Sequence, residues 1–279
     1  MGAGRIGRPM VGRLAAAGHE VRVLDRSGTA AAELAAAGAV PVDGLAAVAE
    51  GAAAVLLCLY SDDQVREVVL AEGAGGGLLD RMEPGSVLVI HTTGSPLTAT
   101  AIAERAVPRG IEVVDAPISG GPHDIEAGEV TLYVGGSDAG LERARPFLAA
   151  YGDPVVHLGP TGAGQQVKLI NNAVFAANIG VLAEAVRLAG DLGLDEGAVL
   201  RGISHGSGRS MALAAAVHAG SVATFGRAVG EFVGKDVAVV REVAAELDVD
   251  LGALAGPHRA LGALLAPEHR ALLVGAPGA

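Results

Sequence analysis

The chain has 279 residues, of which 51% are hydrophobic and only 3% aromatic, and its formal net charge at pH 7 is −11. This length fits one large or two ordinary domains with a core of Ala, Val and Leu, and the negative charge argues against a nucleic-acid partner. The single cysteine excludes a disulfide framework and favours a reducing, cytoplasmic location, while the eight scattered histidines have no metal-ligand spacing.

The first predicted element is a glycine-rich turn, because Met1 is followed at once by Gly2-Ala3-Gly4-Arg5-Ile6-Gly7. In a G-x-G-x-x-G turn the glycines allow a tight bend, close approach to a pyrophosphate and close helix–strand packing. A helix over 9–18 and a strand over 19–24 follow, and the strand ends at Asp25, about 20 residues beyond the turn, where a ribose contact belongs. This context favours dinucleotide binding over a chance match in a chain with 42 glycines.

The strand that should precede this turn is missing from the sequence. In a doubly wound sheet the first strand is central, so its absence would leave a buried slot unfilled. We expect the native start to lie several residues upstream of Met1, and N-terminal sequencing of the native protein tests this expectation. A native chain that starts at Met1 would refute it.

The remaining elements divide the chain into two predicted domains. Ser61 with Gln64 predicts a capping box, and Ser95 followed by Pro96 predicts another helix start. Strands are predicted over 53–59, 86–90, 111–115 and 130–134, and helices over 165–192, 195–205, 210–219, 235–247 and 252–265. The pattern predicts an α/β, Rossmann-type, doubly wound and mostly parallel sheet in residues 1–160, followed by an all-α domain in residues 161–279.

Neither a signal peptide nor a membrane span is predicted. Arg5, Arg8 and Arg13 interrupt the start of the chain, and no apolar run approaches the ~18 residues that a span requires.

Lys168 and Asn172 are the strongest candidates for chemistry. They lie four residues apart on the long predicted helix, so both project from one face, and a glycine-rich segment over 159–164 lets that helix start close to another element. A partly buried lysine beside a cofactor can donate and accept protons, because desolvation favours its neutral form. The alternative is a surface lysine beside an ordinary helical asparagine.

Two strand-end turns are candidate substrate sites. Ser119-Gly120-Gly121 could hold a carboxylate through backbone N–H groups and the serine hydroxyl, although taken alone such a segment is more often only a turn. Thr92-Thr93 carries the same ambiguity. Both segments follow strands at their carboxyl ends, where open α/β sheets bind ligands.

Together these residues resemble the β-hydroxyacid dehydrogenases, which include 3-hydroxyisobutyrate dehydrogenase and tartronate semialdehyde reductase. The resemblance covers essentially the whole chain, and several spaced motifs in the right order are more specific than any one of them. The motifs are Gly2, Gly4 and Gly7; Thr93 and Pro96; residues 115–121; Gly162-Ala163-Gly164 leading to Lys168 and Asn172; and Lys235-Asp236.

The resemblance implies a role for each candidate residue and a homodimer or homotetramer in which helical domains pack together. Lys168 would be the general acid and base, and Asn172 would orient the substrate. The substrate carboxylate would bind Ser119, Gly120 and Gly121, with Thr93 near both substrate and nicotinamide. The cofactor contacts would come from Gly2, Gly4, Arg5, Ile6, Gly7, Asp25, Arg26, Leu59, Tyr60, Thr93 and Lys235.

The sequence departs from the family at three places: His91 replaces a usual Asp, Tyr60 replaces a common Pro, and the segment Pro122-His123-Asp124 is atypical. His91 and His123 could alter substrate choice, but a histidine satisfied by backbone is the favoured interpretation. Asp25 would accept from the ribose hydroxyls and favours NAD, whereas Arg26 could bind the extra phosphate of NADP.

The predicted reaction is the reversible oxidation of a small 3-hydroxy acid, with hydride passing to NAD(P) and the hydroxyl proton to Lys168. The absence of an evident second cationic anchor favours a small monocarboxylate. One alternative is imine reduction, against which Lys168 argues because related imine reductases usually lack it. The other is a catalytically silent dinucleotide-binding module, which the missing strand keeps open.

Overall fold

The structure is a computed structural model that describes residues 1–24, 31–71 and 76–265. Its internal contacts divide the chain into two compact units, Met1–Lys168 and Leu169–Ala279. The division falls inside the long helix that opens the predicted helical domain. The domain boundary at residue 160 stays a prediction.

The first unit alternates strands and helices, as the sequence predicts. The elements are α1 (Gly7–Ala16), β1 (Arg22–Val23), α2 (Ala31–Ala36), β2 (Val40–Pro41), α3 (Gly44–Ala49), β3 (Ala54–Leu57), α4 (Asp62–Leu70), β4 (Val87–Ile90), α5 (Pro96–Ala106), β5 (Glu112–Asp115), β6 (Ile118–Ser119), α6 (Pro122–Ala127), β7 (Val130–Gly135), α7 (Asp138–Leu148), β8 (Gly152–Gly159) and the start of α8 (Ala163–Asp191).

The main sheet has six strands, with the order β3-β4-β5-β7-β6 and β8 paired to β7. Strands β3, β4 and β5 run parallel, β7 is antiparallel to β5 and β6, and β8 is parallel to β7. All of β4 is buried, as expected for a strand covered on both faces. Leu88 and Ile90 pack in a cluster with side chains of α4 and α5, whereas Val87 and Val89 pack with α1 and α7. The predicted Rossmann-type fold is confirmed.

Met1 and Gly2 lie between β1 and β3, where a Rossmann-type sheet has its first strand. The amino group of Met1 donates to Leu56 O at 2.7 Å, and Met1 O accepts from Cys58 N at 3.0 Å. On the other side Gly2 N donates to Leu24 O at 3.2 Å. Strands β1 and β2 form a separate parallel pair, and a cavity of about 80 Å³ lies among apolar side chains of α1, β1 and β3. In the described residues β1 and β2 are therefore not part of the main sheet, and the bonds of Met1 and Gly2 lie between the two.

The second unit is helical in its described part. It contains the rest of α8, then α9 (Glu196–Ser204), α10 (Met211–His218), α11 (Val222–Glu246) and α12 (Ala255–Leu264). Asp195, Ser210 and Ser221 cap α9, α10 and α11 with side-chain oxygens that accept N–H groups of the first turn. The predicted helix over 235–247 is only the second half of α11, so its predicted start is wrong. A 3₁₀ turn, Gly252–Leu254, precedes α12 where one helix was predicted from residue 252.

By length and composition alone, α8 is apolar enough to cross a membrane. About 44% of its most apolar window is buried inside the protein, and core helices of globular proteins meet the same criterion. The helix α8 is therefore more apolar than the sequence analysis predicts.

Candidate active site

The glycine turn packs as a dinucleotide-binding turn requires. A Cβ on Gly2, whose φ is +84°, would collide with Cys58 O, and a Cβ on Gly7 would collide with Gly2 O. A Cβ on Gly4 would meet nothing within 4 Å. Gly2 and Gly7 are therefore needed for packing inside the protein, and Gly4 borders open space where a ligand can approach the backbone.

The N-terminus of α1 is suited to an anion. Its N-cap residue Ile6 makes no side-chain capping bond, and the first turn holds no acidic residue, so the helix supplies N–H groups and a positive dipole end. A cavity of about 590 Å³ adjoins this turn at the carboxyl ends of β1 and β3, within the size range of cofactor sites. Leu59, Tyr60 and Gln64 line it together with Met1 and Gly2. These residues fit a dinucleotide.

Not every predicted cofactor residue can be placed beside this turn. Arg5 is exposed and Ile6 half-buried within the turn itself, whereas Asp25 and Arg26 lie outside the described residues. Lys235 lies on α11 in the second unit, and its predicted contact with the cofactor stays a prediction.

Both predicted helix starts at the sheet edge are confirmed, but the reciprocal bond of the capping box predicted for Ser61 and Gln64 goes to a different backbone N–H. Ser61 Oγ accepts from Gln64 N at 3.3 Å, but Gln64 Oε1 accepts from Tyr60 N at 3.0 Å, one residue before the N-cap. Ser95 caps α5, and Pro96 occupies its first turn. The loop between β4 and α5 is also tied to β3, because Leu59 N donates to Thr92 Oγ1 at 2.9 Å.

His91 is bonded on both ring nitrogens in the core beneath this edge. Its Nδ1 lies 2.6 Å from Ala116 O and its Nε2 2.7 Å from the Tyr151 hydroxyl. A carbonyl can only accept, so Nδ1 carries the proton and Nε2 accepts from Tyr151. Burial lowers the pKa of His91 to about 4, which keeps the ring neutral. The interpretation of His91 as a histidine bonded to backbone is confirmed for Nδ1, whereas Nε2 is bonded to a side chain. His123 is exposed on α6.

Asp115 caps the start of α8 from the end of β5. Its Oδ1 accepts from Gly162 N at 2.6 Å and its Oδ2 from Gln165 N at 2.7 Å. The side chain is fully buried, and burial raises its pKa to about 6 although the backbone N–H groups oppose the rise. Gly164 permits this contact, since a Cβ there would lie 2.8 Å from Asp115 O. The predicted close approach of the long helix is thereby confirmed.

The Ser119-Gly120-Gly121 turn begins at the last residue of β6, the short strand that comes after β5 in the chain. Ser119 pairs with Thr131 in β6 and β7, and Gly120 has a φ of +134° that favours glycine. Gly121 N already donates to Asp124 Oδ2 at 2.6 Å. Gly121 N–H is therefore already used inside the protein, and the predicted donors that remain for an anion are the Ser119 hydroxyl and Gly120 N–H.

Lys168 and Asn172 lie on α8 as predicted, Lys168 half-buried and Asn172 buried at 6% exposure. The amide nitrogen of Asn172 has no hydrogen-bond partner among the residues that the structure describes. Gln165 lies one turn before Lys168 on the same helix face. Its side chain contacts the loop that carries Thr93, so that helix face is turned toward this loop.

Sequence reasoning missed Asp115 as a cap, Gln165 as a bridge and Tyr151 as the partner of His91. It also missed a compositional signal. Lys168 and Lys235 are the two lysines of the chain, against 18 arginines. Arginine cannot lose its proton in a protein, whereas lysine can, so a lysine in an arginine-rich chain is itself a candidate for proton transfer.

Candidate metal-ligating side chains were compared across the described residues. Over residues 1–24, 31–71 and 76–265, no group of three or more His, Cys, Asp or Glu is arranged to hold a metal ion.

The fold and this sheet edge define a nicotinamide-dinucleotide oxidoreductase with a Rossmann-type domain and a helical domain. The family model for the NAD binding domain of 6-phosphogluconate dehydrogenase matches residues 1–159. The model for the NAD-binding region of NADP-dependent 3-hydroxyisobutyrate dehydrogenase matches residues 162–270. The chain belongs to the β-hydroxyacid dehydrogenase family and uses NAD(P).

Named relatives support the same family. The 3-hydroxyisobutyrate dehydrogenase of Pseudomonas aeruginosa is 35% identical over 213 residues, covering 76% of this chain and 70% of the relative. The 2-(hydroxymethyl)glutarate dehydrogenase of Eubacterium barkeri is 34% identical over 215 residues, covering 77% and 70%.

Solved structures show the same likeness. The 3-hydroxyisobutyrate dehydrogenase of Mycobacterium tuberculosis with L-serine has a TM-score of 0.81 at 27% identity, covering 92% of this chain and 89% of that one. An imine reductase of Streptomyces aurantiacus has a TM-score of 0.61 at 21% identity, over 94% and 91% of the two chains, which is a likeness of fold alone.

Proposed function

We propose that this protein reversibly oxidises a small 3-hydroxy acid to the corresponding semialdehyde or keto acid, with Lys168 as general acid and base. The observation that carries the proposal is the position of Lys168 on the face of α8 whose Gln165 is bonded to the loop containing Thr93. That loop follows β4 at the sheet edge next to the glycine turn, where a Rossmann-type sheet holds its ligand.

In this reaction the side chains of the protein transfer one proton, that of the substrate hydroxyl. A nicotinamide dinucleotide held at the glycine turn of Gly2, Gly4 and Gly7 would supply the hydride acceptor in the oxidising direction and the hydride donor in the other. Neutral Lys168 accepts the hydroxyl proton as the C–O bond becomes a carbonyl, and the ammonium returns it during reduction. Lysine suits this role because its charge is reversible, whereas the 18 arginines of the chain are permanently charged.

A monocarboxylate fits the polar groups around this lysine. The Ser119 hydroxyl and Gly120 N–H are the donors proposed for the substrate carboxylate, with Thr93 beside the reacting carbon. Asn172 brings a buried amide nitrogen that lacks a partner among the described residues and is proposed to bind a substrate oxygen. Relatives of this chain in Pseudomonas aeruginosa include a 3-hydroxyisobutyrate dehydrogenase and an NAD-dependent L-serine dehydrogenase, whose substrates share a carboxylate and a 3-hydroxyl.

The preferred dinucleotide is proposed to be NAD, with NADP as the alternative, because Asp25 follows the strand where the ribose hydroxyls bind. A cytoplasmic location is part of the same proposal. Titrating the enzyme with NADH and NADPH by nucleotide fluorescence tests the preference, and tighter binding of NADPH would reject it.

A homo-oligomer is proposed on the basis of an apolar stripe along α8. Ile170, Val174, Val181 and Leu188 are 62%, 45%, 53% and 52% exposed and share one helix face. A second copy of the chain is the proposed cover. Analytical ultracentrifugation of the protein and of Val181→Glu tests this, because a charge on the stripe should shift the assembly to monomer. A wild-type monomer at micromolar concentration would contradict it.

The decisive test of the reaction is Lys168→Ala, with the exposed neighbour Gln166→Ala as a matched control. Losing a general acid and base should lower kcat about 10²–10⁴-fold while the dinucleotide Kd changes less than about twofold. Near-normal turnover of Lys168→Ala would reject the assignment. A panel of 3-hydroxy acids and cyclic imines separates the dehydrogenase from an imine reductase, and nucleotide binding without any turnover would indicate a silent module.

A further inference from the structure

Gln165 is bonded to the loop between β4 and α5 at two points. Its Oε1 accepts from Gly94 N at 3.1 Å, and its Nε2 donates to Thr92 O at 2.8 Å. These contacts lie on either side of Thr93 in the sequence. Gln165 is only 2% exposed, so water does not replace either bond when the side chain is lost.

The side-chain amide matches what this loop presents. One donor and one acceptor on the same planar group pair with a backbone carbonyl and a backbone N–H two residues apart. An ionised carboxylate can accept from Gly94 but has no proton for Thr92 O. Leucine, of similar volume, can make neither bond, and each buried backbone group left without a partner costs about 1–3 kcal/mol.

Gln165 is also bonded through its own backbone. Its N–H donates to Asp115 Oδ2 at 2.7 Å, so the first turn of α8 is fixed to the end of β5 by the main chain and to the loop after β4 by the side chain. Lys168 follows one turn later on the same helix face. The bonds of Gln165 at the ends of β4 and β5 therefore fix the position of Lys168 relative to the Thr93 loop.

We propose that Gln165 is a positioning residue that holds the amine of Lys168 in register with the Thr93 loop. Gln165 is required for proton transfer and not for binding of the dinucleotide. The inference rests on the proposed function of Lys168. A displacement of about 1 Å at a reacting group can cost on the order of 10²-fold in rate, which sets the size of effect to expect.

The test compares Gln165→Leu and Gln165→Glu with Gln166→Leu and Gln166→Glu, which change the exposed neighbour on the same turn. Gln165→Leu should lower kcat about 10- to 100-fold, with the dinucleotide Kd within about twofold of wild type and the helical circular dichroism retained. The kcat of Gln165→Glu should approach that of wild type as the pH falls. Its protonated carboxyl group restores both bonds, donating to Thr92 O and accepting from Gly94 N. The ratio of its kcat to that of wild type should therefore rise toward one.

A readout independent of turnover comes from the lysine content. Isotope labelling of lysine side chains gives two resonances, one for Lys168 and one for Lys235. Gln165→Leu should shift the Lys168 resonance and leave Lys235 in place, whereas Gln166→Leu should shift neither. An unmoved Lys168 resonance, a wild-type kcat for Gln165→Leu or a pH-independent ratio for Gln165→Glu would each overturn the inference.

The two proposals can fail separately. If Lys168→Ala is inactive while Gln165→Leu keeps wild-type turnover, the positioning role is wrong and the proposed function stands. If Lys168→Ala keeps its turnover, the acid–base assignment is wrong, and the role of Gln165 is refuted with it.

Discussion

Two buried groups next to the candidate active site should respond to acid in opposite directions. The pKa of Asp115 is raised from 3.8 to about 6, so its contribution to folding is fully present below pH 3.8 and is lost as the pH rises through 6. The pKa of His91 is lowered from 6.5 to about 4, so its contribution is present above pH 6.5 and is lost as the pH falls toward 4.

These shifts convert to similar free energies. At 1.36 kcal/mol for each pKa unit, and because neither titration is complete at pH 4, both groups change the free energy of unfolding by about 2–3 kcal/mol between pH 7 and pH 4. The two contributions nearly cancel in the native protein. Asp115→Asn removes the contribution that grows in acid, so the variant should lose about 2–3 kcal/mol more stability than wild type between pH 7 and pH 4.

Urea denaturation followed by circular dichroism, at several pH values between 4 and 7.5, measures this difference. Comparing each protein with itself across pH removes the constant cost of a weaker cap on α8. Glu20→Gln, which removes one carboxyl group that is 82% exposed, controls for the change in net charge. Stability curves of wild type and Asp115→Asn that run parallel within about 0.5 kcal/mol would refute the reasoning.

Two further predictions concern the hydrogen-bond partner of His91 and the packing of the glycine turn. Tyr151→Phe leaves His91 Nε2 buried without its hydrogen-bond partner and should lower the free energy of unfolding by about 1–3 kcal/mol, measured by urea denaturation at pH 7. A loss below about 0.5 kcal/mol would contradict the buried bond between His91 and Tyr151. Gly7→Ala places a methyl group against Gly2 O and should weaken NADH binding at least tenfold in a fluorescence titration, whereas Gly12→Ala, whose Cβ meets open space, should bind normally.

Local signals in the sequence predict the helix starts and central strands of the first unit. Ser61, Ser95 and Pro96 act within one helical turn of the residues they cap, and β3 and β4 are continuous apolar runs. Strand β8 is not predicted because Asp153 and Pro154 are residues typical of a loop. It forms because β7 offers a partner along its whole length, which is information that the local sequence does not contain.

The misplaced start of α11 has a packing cause. Gly226, Gly230 and Gly234 interrupt the first half of this helix, and glycine is about 1 kcal/mol less favourable than alanine in a helix interior. At Gly226 a Cβ would lie 3.1 Å from Leu264 Cβ of α12. Close contact between the helices therefore offsets the low helix propensity, a tertiary effect that periodicity does not reveal.

The candidate site divides in the same way. Lys168 and Asn172 are evident from their spacing on one helix, whereas Asp115 and Gln165 act on backbone groups about 50 to 70 residues away in the chain. A side chain that binds a distant backbone has no partner residue whose identity could reveal it. The sequence therefore predicts the residues proposed to act on substrate and does not predict those that hold them.

Composition supplies the link between these two groups of residues. Within the described residues arginine makes exposed ion pairs, as between Arg187 and both Glu184 and Asp191, so surface charge in this chain does not depend on lysine. Lysine stands at position 168, one turn beyond the segment that Asp115 and Gln165 fix to two strand ends. A permanently charged guanidinium at that point could balance charge but could not exchange a proton. That choice of residue supports an active dehydrogenase over a silent nucleotide-binding module.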